Sequence, residues 1–271
     1  MLMTMLKHEW KATWKMLALL NIATLALALI GRIILIFESS IPEFIAAIYL
    51  VVFFFMIIAS SCATFIILVL RYYRNLYTDE GYLTNTLPVS AATRLNAKII
   101  NHMAWFFLNI LCIIAAFAIF VSAEVPMSDM WTGITNVASM LPQFFAVNAA
   151  LFWILMLVTM IISSLMTILM FYFSISVGCC FNTHKVLASV VSYLITYVVL
   201  QIVSSIIMVV IGLNYGEVLQ ADVPLNVAGT TPQLLPFFHT TMIVAIVICV
   251  VVNIIFYLVS HYLLAKKLNL N

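Results

Sequence analysis

Charged residues are scarce in this chain, and their scarcity excludes most soluble folds. Asp, Glu, Lys and Arg make up 7% of the 271 residues, whereas a soluble domain carries about 25% because its surface faces water. Hydrophobic residues account for 66% of the chain, and its mean hydropathy is +1.23. A surface with so little charge must mostly face lipid. The chain is therefore predicted to be an all-α integral membrane protein.

Motifs for nucleotide binding and catalysis are also lacking. None of the seven glycines is followed by lysine, so the chain has no P-loop. The five histidines form no H-E-x-x-H, and there is no G-x-S-x-G. We therefore expect neither an enzyme nor a cofactor in this chain. No basic cluster points to nucleic acid.

The five cysteines do not have the pattern of a disulfide framework or a zinc site. None lies in a predicted outer loop, and the adjacent Cys179 and Cys180 lack the spacing of zinc ligands. We expect no structural disulfide and no metal site.

Long apolar runs predict six spans, because a spanning helix needs about 20 apolar residues. The whole chain, 1–271, then forms a single transmembrane domain, with spans at about 17–37, 44–70, 104–123, 144–177, 186–213 and 237–264. An additional span within 130–184 is the alternative, although 130–142 is rich in polar residues.

The basic residues give the predicted orientation. Ten of the eleven lie in segments on one side of the six predicted spans, namely Lys7, Lys11, Lys15, Arg71, Arg74, Arg94, Lys98, Lys185, Lys266 and Lys267. The opposite loops hold no basic residue and six of the nine acids. Since cytoplasmic loops carry the excess of Lys and Arg, both termini are predicted to be cytoplasmic, in a plasma membrane.

The residues before the first span have an amphipathic pattern. Leu6, Trp10, Trp14 and Leu17 share one helical face beside a row of lysines. This pattern predicts an interfacial helix over 1–16, with tryptophans at headgroup depth. A signal peptide is the alternative, although the apolar run that follows is longer than a typical one and lacks a convincing cleavage site.

Few polar residues interrupt the predicted spans. Arg32 is the one charge within them, and it either snorkels to the interface, pairs with Glu38 or Glu43, or takes part in substrate contact or gating. Gln201 and Asn253 are the polar residues nearest mid-membrane. They are candidates for a translocation path, and hydrogen bonding between helices is their ordinary role.

The longest predicted cytoplasmic loop, 71–98, contains signals for a short helix. Thr78 is a suitable N-cap, and Asp79 and Glu80 would occupy the first turn, where acids suit the helix dipole. Pro88 disfavours helix at the preceding residue, and Ser90 can cap the helix that leads into the third span.

Three apolar or aromatic residues of this short helix are candidates for a contact surface. Tyr82, Leu83 and Leu87 would fit the groove of a partner or lie on the membrane. Composition does not separate these two interpretations.

Residues 73–90 (YRNLYTDEGYLTNTLPVS) resemble a recurrent motif in permease subunits of type II ABC exporters of Gram-positive bacteria. These permeases also begin with a similar Lys/Trp-rich segment. The resemblance implies that Thr78 to Leu87 is a coupling helix, which docks on a separate ATPase subunit through Asp79, Glu80, Gly81, Tyr82, Leu83 and Leu87. ATP and Mg²⁺ would be bound by that partner. Two permease chains, as a homodimer or a heterodimer, would complete the exporter.

The spans offer few charged groups to a polar solute, so the expected cargo is hydrophobic or amphipathic: a lipid-like molecule, a drug or an antimicrobial peptide. Two other functions remain open. One is an ATP-independent transporter or channel, although such proteins usually keep titratable groups deep in the membrane. The other is a non-transporting scaffold or immunity protein.

Overall fold

A computed structural model describes residues 1–37, 42–78, 81, 89–144, 148–181, 184–215 and 234–266. Within these ranges the chain forms seven long helices: α1 (Leu2–Ile36), α2 (Glu43–Tyr77), α3 (Ala91–Val121), α4 (Met127–Phe144), α5 (Ala149–Gly178), α6 (Lys185–Asn214) and α7 (Leu234–Lys266). All but α4 are long and apolar enough to cross a membrane. This confirms the predicted all-α fold with six such helices, and the chain is a multi-pass membrane protein.

The first three helices are longer than the apolar runs that predicted them. The segment predicted as a separate interfacial helix is continuous with the first spanning helix, because α1 runs unbroken from Leu2 to Ile36. α2 extends past residue 70 to Tyr77, and α3 begins at Ala91. At 1.5 Å per residue α1 is about 50 Å long, well beyond the roughly 30 Å hydrocarbon core. Each helix therefore continues into a polar region.

Helix α4 occupies the stretch between the third and fourth predicted spans. It continues through Gly133 and includes Pro142 close to its end. Its large apolar side chains, among them Trp131, Ile134 and Met140, are exposed. Because apolar residues alternate with polar ones here, the stretch lacks the hydropathy of a span but keeps the backbone of a helix.

The chain divides into two compact units, residues 1–133 and 134–269. In the first unit α1 packs along α3, and α2 packs against both. One apolar cluster joins Leu17, Leu68 and Trp105. A second cluster contains Ala28 and Phe53 with nearby aromatic rings. These clusters hold α1, α2 and α3 side by side.

A close approach between α1 and α2 depends on a glycine. The ring of Tyr49 lies so near Gly31 that a Cβ atom there would overlap it. The Tyr49 hydroxyl also donates a hydrogen bond to the carbonyl of Leu27. Small residues allow membrane helices to approach closely in this way.

The second unit is built around α5. The ring of Phe171 lies 4.4 Å from that of Tyr193 on α6, and the ring of Phe173 lies 4.8 Å from that of Phe256 on α7. Helices α6 and α7 contact each other much less than either contacts α5. They come together near Tyr215, whose hydroxyl lies 3.0 Å from that of Thr240.

Candidate functional site

The predicted coupling helix lies largely outside the described residues. This applies to Asp79, Glu80, Tyr82, Leu83 and Leu87. Gly81 is described and helical, and its N–H donates to the carbonyl of Thr78 at 2.7 Å. The structure also describes the two helix ends that flank the segment. α2 ends at Tyr77, and Ser90 caps α3 by accepting the Thr93 N–H at 3.2 Å, which confirms the predicted cap.

A buried ion cluster connects these helix ends to α1. The carboxylate of Glu9 accepts from Arg71 Nε at 2.9 Å and from Lys98 Nζ at 2.8 Å. The side chains of Glu9 and Lys98 are only 10% and 5% exposed. Burying a charged side chain carries a large desolvation penalty, which is offset only when an oppositely charged group lies close to it. The ion cluster therefore joins the start of α1, the end of α2 and the start of α3.

A tryptophan layer lies next to the ion cluster. Trp105 donates from Nε1 to the Thr13 hydroxyl at 3.0 Å, and that hydroxyl donates to the carbonyl of Glu9 at 3.0 Å. The rings of Trp10 and Trp105 stack with their centroids 4.6 Å apart. Trp14, in contrast, is exposed. The buried face of α1 is thus the one that carries Glu9 and Thr13. On the face predicted to lie in the membrane interface, Leu17 is buried, Leu6 and Trp10 are partly buried, and Trp14 is exposed.

An amide and hydroxyl layer follows further along the same three helices. Asn109 donates from Nδ2 to Asn21 Oδ1 at 2.9 Å and to Ser60 Oγ at 3.1 Å. All three side chains are buried. In lipid, a polar group without a partner is costly, so such bonds favour one arrangement of the helices. Hydrogen bonding between helices, the ordinary role predicted for mid-span polar residues, is confirmed for Asn109.

The proposed ion pair at the other end of α1 stays a prediction. Arg32 is exposed and forms no ion pair with any side chain that the structure describes. Glu38 and the side chain of Glu43 lie outside the described part of the chain.

The second unit contains an elongated cleft between α5, α6 and α7, which we call the α6–α7 cleft. Its volume is about 600 Å³. Most of its lining is apolar, and its polar members include Ser163, Thr167, Tyr197, Gln201 and Ser204. Ser163, Thr167 and Gln201 come from the middle of α5 and α6, and none of the lining residues is charged. The cleft is suited to an uncharged, mostly apolar molecule.

The two candidates for a translocation path therefore lie in different environments. Gln201 lines the α6–α7 cleft and is exposed. Asn253 is buried, and its amide donates to the carbonyl of Ile162 at 3.1 Å. The structure places Asn253 in the packing between α5 and α7, whereas Gln201 faces open space.

The buried Cys179 thiol lies just beyond the end of α5. Burial raises the pKa of the Cys179 thiol to about 12, so this group stays protonated at neutral pH. No group of three or more metal-ligating side chains occurs among the described residues.

The ion cluster was not found by sequence analysis. Arg71 and Lys98 were treated as markers of membrane orientation, and Glu9 was not singled out. One signal was present, because Glu9 is the sole acidic residue among the first 37. An acid within a row of lysines indicates a specific partner, but its partners lie 62 and 89 positions away.

Comparisons with known proteins identify no relative. No protein-family model, no curated protein and no solved structure matches the chain.

Proposed function

We propose that this chain is the permease subunit of an ATP-driven ABC exporter that moves a hydrophobic or amphipathic cargo across the cytoplasmic membrane. The observation that carries the proposal is the ion cluster of Glu9, Arg71 and Lys98. Through this cluster, α1 contacts the end of α2 and the start of α3, the two helix ends that flank residues 79–88.

An exporter permease needs a route by which motion elsewhere reaches its membrane helices. The sequence has no nucleotide-binding motif of its own, so ATP-driven motion would enter through a surface contact. A partner that moves residues 79–88 would displace the ends of α2 and α3 together. Through Glu9, it would displace α1 as well. The Trp105 and Asn109 layers carry the same displacement further along the three helices.

The coupling segment is tested by a double substitution, Tyr82→Ala with Leu83→Ala. Aromatic anchors dominate protein contacts, and truncating a buried anchor costs about 2 kcal/mol or more, which weakens association roughly thirtyfold. We expect the variant to reach the membrane in normal amount but to lose co-purification of an ATPase subunit in mild detergent, or to lose coupling of ATP hydrolysis to transport.

The matched control is Thr230→Ala with Thr231→Ala, in the predicted outer segment, which should keep the ATPase bound. Normal binding and coupled hydrolysis in the Tyr82/Leu83 variant would refute the coupling helix. If wild-type chain never co-purifies with an ATPase, an ATP-independent transporter or a scaffold becomes the better interpretation.

The predicted orientation needs a separate experiment. Single cysteines at Asp129 and Asp222 in a cysteine-free chain should react with a membrane-impermeant maleimide in intact cells, because the positive-inside bias puts both outside. A cysteine at Asn269 should react only after the cells are opened. Labelling of Asn269 in intact cells would reverse or change the proposed topology.

A further inference from the structure

Three polar side chains of the α6–α7 cleft lie near the centre of their helices. Gln201 is near the midpoint of α6, and Ser163 and Thr167 are near the midpoint of α5. If these helices cross a bilayer symmetrically, the three side chains lie close to the middle of the hydrocarbon region. This is the depth at which an exposed polar group is least favourable.

The hydroxyl groups of Ser163 and Thr167 satisfy their donors locally, but the amide of Gln201 does not. Ser163 donates to the carbonyl of Met160, and Thr167 donates to the carbonyl of Ser163. The amide of Gln201 makes no hydrogen bond to any residue that the structure describes. An amide left unpaired in hydrocarbon costs several kcal/mol. Gln201 therefore requires a hydrogen-bonding partner from outside the second unit.

The shape of the cleft limits what that partner can be. Its lining extends along α6 from Tyr193 to Ile211, which is about 27 Å at 1.5 Å per residue. This length is close to the roughly 30 Å thickness of the hydrocarbon core, so a molecule that fills the cleft lies extended along the helices.

We propose that the α6–α7 cleft binds a neutral, chain-like amphiphile from the bilayer, with a hydrogen-bonding group part-way along the chain that pairs with the Gln201 amide. A charged headgroup would find no opposite charge in the lining. Because α6 and α7 approach each other near Tyr215 and Thr240 and separate beyond them, the molecule enters sideways between the two helices. This proposal rests on the proposed exporter function and assigns its cargo class.

Two photoactivatable probes test the proposal on the purified chain in lipid nanodiscs, without any ATPase. Both carry a diazirine on a chain of equal length, and only one has an amide at mid-chain. After illumination, labelled peptides are identified by mass spectrometry. We expect the amide probe to label the methionine-containing cleft segments around Met166 and Met208 more strongly than the hydrocarbon probe.

Variants of the cleft separate specific binding from ordinary lipid contact. Gln201→Leu should lower labelling by the amide probe about three- to tenfold, the loss of one intramembrane hydrogen bond, and leave the hydrocarbon probe unchanged. Ala245→Trp, which fills the cleft, should abolish labelling by both probes. The controls are Thr159→Val on α5 and Ala188→Trp near the α5–α6 turn, neither of which lines this cleft, and both should label normally.

Two results would overturn the assignment. In the first, both probes label equally and Gln201→Leu has no effect, so that the cleft is only a lipid-filled groove. In the second, a single cysteine at position 201 forms a disulfide with a second copy of the chain in most molecules, so that the copy covers Gln201. Since no ATPase is present, either result leaves the coupling-helix test of the proposed function untouched.

Discussion

Ten of the 31 residues of α3 are buried, whereas α6, of similar length and equally apolar, buries only Ser189 and Ile211 of its 30. The difference lies in the partners of their polar residues. Asn109 of α3 is enclosed by matching groups on α1 and α2. Gln201 of α6 faces a cleft. In lipid, apolar surface alone does not drive helices to associate. Polar groups paired between helices therefore indicate a packed unit, and we interpret an unpaired polar group as part of a binding surface.

The largest effect on stability is expected when Glu9, which pairs with both cations of the ion cluster, is replaced. Glu9→Gln leaves two cations facing a neutral amide, and Lys98 is buried. Breaking a buried ion pair on one side costs about 3–5 kcal/mol. We expect the apparent melting temperature of the detergent-solubilised chain to fall by roughly 6 °C or more.

Lys11→Gln, on an exposed position of the same helix, should leave that temperature unchanged. Replacing Glu9, Arg71 and Lys98 together by methionine should recover much of the loss, because no unpaired charge remains. If Glu9→Gln melts like wild type, the cluster does not hold the three helices together.

A second, smaller effect is expected where α5 and α6 meet. A Cβ atom added to Gly178 would overlap the backbone of Ser189, which cannot move aside like a flexible side chain. Gly178→Ala should therefore destabilise the chain by about 1–3 kcal/mol in a melting assay. Gly212→Ala, where no atom lies within 4 Å, should be neutral or slightly stabilising. Equal effects at the two positions would mean that α5 and α6 are not in close contact.

The smallest effect on stability is expected when the amide side chains of Asn109 and Gln201 are replaced in turn. Asn109→Leu removes two hydrogen bonds and leaves Asn21 and Ser60 unpaired, so a loss of about 1 kcal/mol is expected. Gln201→Leu should cost no stability in the absence of cargo, since its amide bonds to nothing in the described structure. Melting curves of both variants in the same detergent give the comparison. A larger loss for Gln201 than for Asn109 would contradict the assignment of the two side chains.

Much of the fold could be predicted from local patterns. Apolar runs identified all six described helices that are long and apolar enough to cross a membrane, and Ser90 marked the start of α3. The continuity of residues 1–16 with the first span and the extension of α2 to Tyr77 were not predicted. Hydropathy indicates where lipid begins, whereas a helix continues wherever its backbone hydrogen bonds are kept. The burial of Glu9 could not be predicted either. Its face of α1 is polar, and only partners far along the chain make that face the buried one. The depth of Gln201 was predicted, but the cleft beside it depends on how α6 and α7 diverge.

The long separation within the ion cluster has a consequence for biogenesis. Glu9 leaves the ribosome 62 residues before Arg71 and 89 residues before Lys98. At about 5–20 residues per second, Glu9 waits roughly 4 to 18 seconds for its second cation. During that time α1 carries an unneutralised carboxylate and lacks its lasting neighbours. The ion cluster can form as soon as Lys98 emerges, before any helix of the second unit has been made. The Trp105 and Asn109 layers follow as the rest of α3 is synthesised, so the ion cluster is the first of the three layers that can close.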